Sequence, residues 1–144
     1  MYSRNVTGMT FEKLHEDAII PHYQTIGSAG LDLHSIEATN ILPGEYTLVG
    51  TGLRVNLPGG TEGQVRSRSG LAAKNGVFVL NSPGTIDQDY KGEIKVILYN
   101  AGKSTFSIEK GDRIAQLVIS QYYKLAGLTL DNTREDNGFG STGL

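Results

Sequence analysis

The chain has 144 residues, 38% of them hydrophobic, with no cysteine and a formal net charge of −2. That length favours one domain with a substantial core, and the missing thiols exclude structural disulfides, zinc–thiolate sites and a cysteine nucleophile. The charge balance lacks the basic footprint that broad nucleic-acid or membrane binding needs. No apolar run approaches the roughly 20 residues of a membrane helix. The opening MYSRNVTGMT has no signal-peptide apolar region, so a soluble, cytoplasmic protein is the expectation.

MTFEKL reads as an opening strand. In LDLHS, Leu31 and Leu33 point one way, Asp32 and His34 the other. ILPGEYTLV carries a Pro-Gly turn, with Tyr46 and Leu48 at alternate positions beyond it. Leu53, Val55 and Leu57 alternate strictly across LRVNL before the turn PGG. GLAAKNG, 70–76, is the one helical stretch, and it is too short for more than about one turn. VFVL is a short apolar run, and EIKVILYN alternates Ile94, Val96 and Leu98 against Lys95, Ile97 and Tyr99. FSIEKGDRIAQLVI places Phe106 and Ile108 before a Lys-Gly-Asp turn, then an apolar run from Ile114 to Ile119.

The 19 glycines are about twice the usual share. Together with strands spaced roughly 8–12 residues apart, they predict an all-β sandwich or barrel. After Leu130 the apolar pattern stops, leaving the polar, glycine-rich tail DNTREDNGFGSTGL. The expected organisation is therefore a β domain over 1–130 and a flexible arm over 131–144.

Side-chain metal cages are poorly supported: His15, His22 and His34 form no HxxxH pair. A Ser-His-Asp triad cannot be argued from spacing, and GTGLRVN lacks the third glycine of a dinucleotide fingerprint. Three polar, glycine-containing clusters remain. VRSRSGLAAKNG offers Arg66, Ser67, Arg68, Ser69 and Gly70 just before a helical turn. Phosphate oxygens suit backbone N–H groups plus bidentate arginine, yet a surface loop with a capping serine would look the same. NSPGTIDQDYKGE forms a hairpin-like excursion holding Asp87, Asp89 and Tyr90. A carboxylate there suits a general base towards water; a solvated acidic loop is the other reading. In the tail, Arg134, Ser141 and Thr142 suit an anionic end group and Phe139 suits stacking on a flat ring, while a frayed terminus would need none of this.

In this order the clusters resemble the trimeric dUTPase family. AGLDLHS (29–35), RSRSGLA (66–72), NSPGTIDQDYKGEIKV (81–96), KGDRIAQL (110–117) and RxxxGFGSTG (134–143) match its five motifs in order and spacing across almost the whole chain. The resemblance implies a distorted jelly-roll, barrel-like subunit with a flexible C-terminal arm, in a homotrimer whose active sites are shared between subunits. The implied reaction converts dUTP and water to dUMP and pyrophosphate, with Mg²⁺. It would keep uracil out of DNA and supply dUMP for thymidylate synthesis.

The same resemblance implies roles for individual residues. Asp87 would place the attacking water and hold the 3′-hydroxyl, and Tyr90 would pack under the deoxyribose. Asn81 and main-chain groups around Thr85, Ile86 and Lys95 would read uracil. Arg68, Ser69, Gly70 and Gln116 would hold the phosphates, and Asp32 would touch Mg²⁺ through water. Arg134, Ser141 and Thr142 would meet the γ-phosphate, with Phe139 stacked on the base.

Glu135 and Asn137 stand where the family usually has glycines, which puts closure of the arm in doubt. Ser67 replaces a usual proline or glycine, with little effect expected. A dCTP deaminase of the same fold is the nearest alternative, but its catalytic glutamate corresponds here to Ile97. A dUTP-sensing regulatory protein is another, and the sequence is silent on any regulatory protein partner. The sequence does not distinguish a bacterial from a viral source; in the viral case the expected location is the host cytoplasm.

Overall fold

The computed structural model describes residues 9–128. Within them the strands are β1 (Thr10–Lys13), β2 (Gly30–His34), β3 (Thr39–Ile41), β4 (Tyr46–Gly50), β5 (Leu53–Asn56) and β6 (Thr61–Arg66). After the helix α1 (Ser69–Asn75) come β7 (Val77–Val79), β8 (Gly84–Ile86), β9 (Lys95–Asn100), β10 (Phe106–Ile108) and β11 (Arg113–Gln121). The architecture is all-β with one short helix, as expected. No helix among the described residues is long and apolar enough to cross a membrane.

A four-stranded sheet runs β2-β11-β6-β8, and a three-stranded sheet runs β4-β9-β7. β1 pairs with β5, and β10 with β3. Every pairing is antiparallel, so one face of each strand can be apolar while the other meets solvent or a ligand. The inward set is the one that the alternation predicts. Leu31, Leu33, Leu53, Val55, Ile94, Val96, Leu98, Ile108, Ile114 and Leu117 are all buried. Four polar residues are buried with them, Ser35, Thr51, Thr61 and Asn100; the Asn100 amide donates to the carbonyls of Ile41 (2.8 Å) and Ser104 (2.9 Å) and accepts from Gly102 N–H. A buried amide so completely paired carries no desolvation penalty to speak of.

Three local features were not read from the sequence. Beyond the Pro-Gly turn the buried residue is Val49, while Tyr46 and Leu48 are exposed; the inward register of β4 is offset by one residue. β6 forms over a stretch to which the sequence pattern assigned no element. Its inward face reads Thr61, Gly63, Val65, and Gly63 fits because a β-carbon there would sit 3.1 Å from Leu117 Cδ1 and 3.2 Å from Ile86 Cβ. Finally, no serine caps α1. The N-cap is Arg68, with no side-chain capping bond, and the helix closes on Gly76 at φ 69°, the left-handed conformation that glycine adopts without strain.

Candidate active site

On β11, Gln116 lies opposite Asp32 of β2 and opposite Arg66 of β6. Directly paired residues share a sheet face, so the three project together from the outer surface. The Gln116 amide donates to the Ser67 carbonyl (3.1 Å). The Arg68 guanidinium donates to the Arg113 carbonyl (3.1 Å), and the Arg113 guanidinium stands 3.5 Å from the Asp32 carboxylate. Asp32, Arg68, Arg113 and Gln116 thus form one polar cluster, with Ser69 and Gly70 exposed at the start of α1 beside Arg68. Arg113 was not assigned a role from the sequence, although it lies inside KGDRIAQL; its placement depends on the pairing of β11 with β2.

His34, next on that face of β2, has a buried Nδ1 with no hydrogen-bond partner. Burial lowers its pKa, the Asp32 charge opposes that shift, and Arg113, His22 and Arg68 reinforce it. The charged form of the imidazole is therefore disfavoured beside the guanidiniums.

The second cluster lies on the 81–96 hairpin. The Asn81 amide closes over Gly84, where a β-carbon would come within 3.3 Å of Asn81 Nδ2. Ile86 turns its side chain into the core, so only its main chain is left to face a ligand. Asp87 accepts the Tyr90 N–H at its carbonyl (3.1 Å), and the Tyr90 hydroxyl donates to the Glu93 carbonyl (2.7 Å). Thr85 and Asp87 line an open cleft of about 680 Å³ with Glu62, Gln88, Asp89, Tyr122, Tyr123 and Lys124. Gln88 ties this corner together: its Oε1 accepts both the Gly60 N–H and the Tyr122 hydroxyl at 3.0 Å. Lys95 begins β9 opposite Gly50, with its side chain exposed.

One chain does not bring these two clusters together. β8 runs antiparallel to β6, with Gly84, Thr85 and Ile86 opposite Val65, Gln64 and Gly63. The next residue, Asp87, therefore lies towards Glu62. From Glu62 to Arg66 the strand covers about 13 Å at roughly 3.3 Å per residue, and Arg68 lies beyond, anchored to the far end of β11. The chain displays a carboxylate end and a guanidinium end.

Among the described residues no group of three or more His, Cys, Asp or Glu could hold a metal ion. The candidate carboxylate is Asp32, its side chain 16% exposed and beside the Arg113 guanidinium. That donor set fits an ion that keeps most of its water, as Mg²⁺ does, and not a stripped cation in a protein cage.

The family model described as dUTPase matches residues 16–143. The chain belongs to the dUTPase family. It is 54% identical over 138 residues to the deoxyuridine 5'-triphosphate nucleotidohydrolase of Hydrogenobaculum sp. (strain Y04AAS1), covering 92% of this chain and 96% of that protein. It is 50% identical over 137 residues to the enzyme of the same name from Clostridioides difficile, covering 92% and 96%. Among solved structures, a variant dUTPase from phage phi11 of S. aureus matches with a TM-score of 0.77 at 25% identity, over 88% of this chain and 97% of that one. That structure describes coordination of a structural Mg(II) ion. The dUTPase match extends into the tail, but Arg134, Phe139, Ser141 and Thr142 lie outside the described residues, as do Glu135 and Asn137.

Proposed function

We infer that this protein hydrolyses dUTP to dUMP and pyrophosphate. The observation that carries this is the family match over residues 16–143 joined to the exposed Asp87 hairpin at the mouth of the cleft. The nucleotidohydrolase relatives at about half identity supply the reaction. Neither alternative is favoured. Ile97 of β9, half-buried opposite Leu48 of β4, offers no proton shuttle for a deaminase, and the curated relatives named above are nucleotidohydrolases.

The separation of the two clusters supports a homotrimer with active sites shared between subunits. A triphosphate needs cations and a hydrolytic water needs a base; one chain carries these at opposite ends of β6. Apposing the carboxylate end of one subunit to the guanidinium end of another completes a site. In it, Asp87 orients the water for in-line attack at the α-phosphorus and holds the 3′-hydroxyl. Tyr90 lies under the deoxyribose. Asn81, with main-chain groups of Thr85, Ile86 and Lys95, reads the uracil edge. Arg68, Ser69, Gly70 and Gln116 hold the phosphates, and pyrophosphate departs on that side. Asp32 would hold Mg²⁺ through water, and the bound ion would supply neutralisation of the triphosphate charge. Arg134, Ser141 and Thr142 meet the γ-phosphate, and Phe139 stacks on the base.

The test is pyrophosphate release with Mg²⁺ across dUTP, dTTP, dCTP and UTP. Turnover confined largely to dUTP is expected. No turnover of dUTP, or ammonia release from dCTP, overturns the reading.

A further inference from the structure

We propose that Thr51 and Glu93 are positioning residues for sugar selectivity: they clasp the main chain that holds the Tyr90 hydroxyl, and so stiffen the wall that rejects a ribonucleotide. The inference rests on Tyr90 lying under the deoxyribose.

A wall excludes a 2′-hydroxyl only as firmly as it resists being pushed aside. The Tyr90 ring is half-buried against the core, and its far end is tied down by the bond from its hydroxyl to the Glu93 carbonyl at 2.7 Å. The stiffness of the ring therefore depends on what holds Glu93 and Ile94. The answer is the turn between β4 and β5. The Gly52 N–H donates to Glu93 Oε2 at 2.9 Å. The Ile94 N–H donates to the Leu53 carbonyl at 2.8 Å. The Ile94 carbonyl accepts two bonds from Thr51, 3.2 Å from its N–H and 2.7 Å from its hydroxyl. The same hydroxyl oxygen accepts the Leu53 N–H at 3.2 Å.

The turn is shaped for this contact. A β-carbon on Gly50 would sit 2.5 Å from Glu93 Oε2, so glycine is what admits the carboxylate. Gly52 has φ +70°, and a β-carbon there would sit 3.0 Å from Ala18 Cβ; a side chain would be strained as well as crowded. Thr51 is 1% exposed, and a hydroxyl buried at that depth is costly unless it is paired, as this one is. Thr51 lies outside the segments that carry the implied nucleotide contacts, and Glu93, although within 81–96, is assigned none of them. They act through Tyr90.

The experiment measures kcat/KM for dUTP and for UTP, by pyrophosphate release from the full-length protein. Glu93→Ala and Thr51→Val should lower the dUTP-to-UTP ratio about tenfold, the scale on which a pocket senses one small group. Glu93→Gln and Thr51→Ser keep an oxygen acceptor and a hydroxyl, and should stay within about threefold, since the hydrogen bonds survive. A merely structural role would depress both substrates together and leave the ratio unchanged. Thr51→Val strips a buried hydroxyl; if it does not fold, Glu93→Ala, at a partly exposed side chain, carries the test. Tyr90→Leu separates the two layers. An unchanged ratio in Tyr90→Leu overturns the sugar role of Tyr90, and the clasp falls with it. A lowered ratio there with an unchanged ratio in Glu93→Ala overturns the clasp alone. So does a loss in Glu93→Gln as large as in Glu93→Ala.

Discussion

The Gln116 side chain lies against Gly30, where a β-carbon would come within 2.4 Å of its Oε1. The crowding atom is the end of a flexible side chain, so Gly30→Ala should fold with Gln116 swung aside and its bond to the Ser67 carbonyl lost. The stability cost should stay near about 1 kcal/mol, the worth of one hydrogen bond. Turnover of dUTP should fall about tenfold or more, since a displaced phosphate donor is felt in the transition state. Steady-state kinetics beside a thermal melt separates the two. Full activity in Gly30→Ala would mean that Gln116 needs no fixed placement.

Ser67 is more than a tolerated replacement. Its hydroxyl accepts the Val79 N–H at 2.9 Å, joining the loop before α1 to β7. Ser67→Ala leaves a part-buried N–H unpaired and should cost about 1–2 kcal/mol in chemical denaturation. The little effect expected from the sequence would be restored as the better description by an unchanged midpoint.

Asp87→Asn keeps the shape of the hairpin but removes the proposed base. Pyrophosphate release should drop at least about 10²-fold, while calorimetry still detects dUTP binding. A fully active variant would reassign the base.

Deleting the chain after Thr133 removes Arg134, Phe139, Ser141 and Thr142. The truncated protein should elute near the mass of three chains, bind dUTP weakly and turn it over very slowly, because an unclosed site admits bulk water. Undiminished activity would reduce the tail to an ordinary terminus. Elution of a stable, active monomer would overturn the shared-site assembly.

The Lys110 ammonium beside Asp17 holds that carboxyl below its ordinary value of 3.8, first through a hydrogen bond and then through charge. A depressed carboxyl contributes stability above the unfolded value and loses it as the pH falls through the folded one. Parent and Asp17→Asn should therefore differ in melting temperature near neutrality, by a small amount that salt reduces. The difference should vanish in acid below the folded value. A gap that persists there would assign the effect to something other than this ion pair.

Much of the fold is legible in the sequence. Strict alternation in LRVNL and EIKVILYN announced β5 and β9 and their buried faces, because a half-buried strand cannot disguise a period of two. The order of the five polar and glycine-rich segments announced the family. β6 stayed hidden because its inward face is Thr61, Gly63 and Val65, and a glycine shows no hydrophobic signal even where neighbours fill its place. Tyr46 and Leu48 misled in the opposite way: they are apolar at the right spacing, yet pairing with β9 turns Val49 inward instead. What only the tertiary structure decided is relative position. The resemblance assigns Asp87 and Arg68 to one proposed site. The antiparallel register of β8 on β6 sets them at opposite ends of a strand, and the turn at 50–53, far from either in sequence, closes on Glu93. Both are long-range pairings, settled by how strands meet and invisible to local pattern.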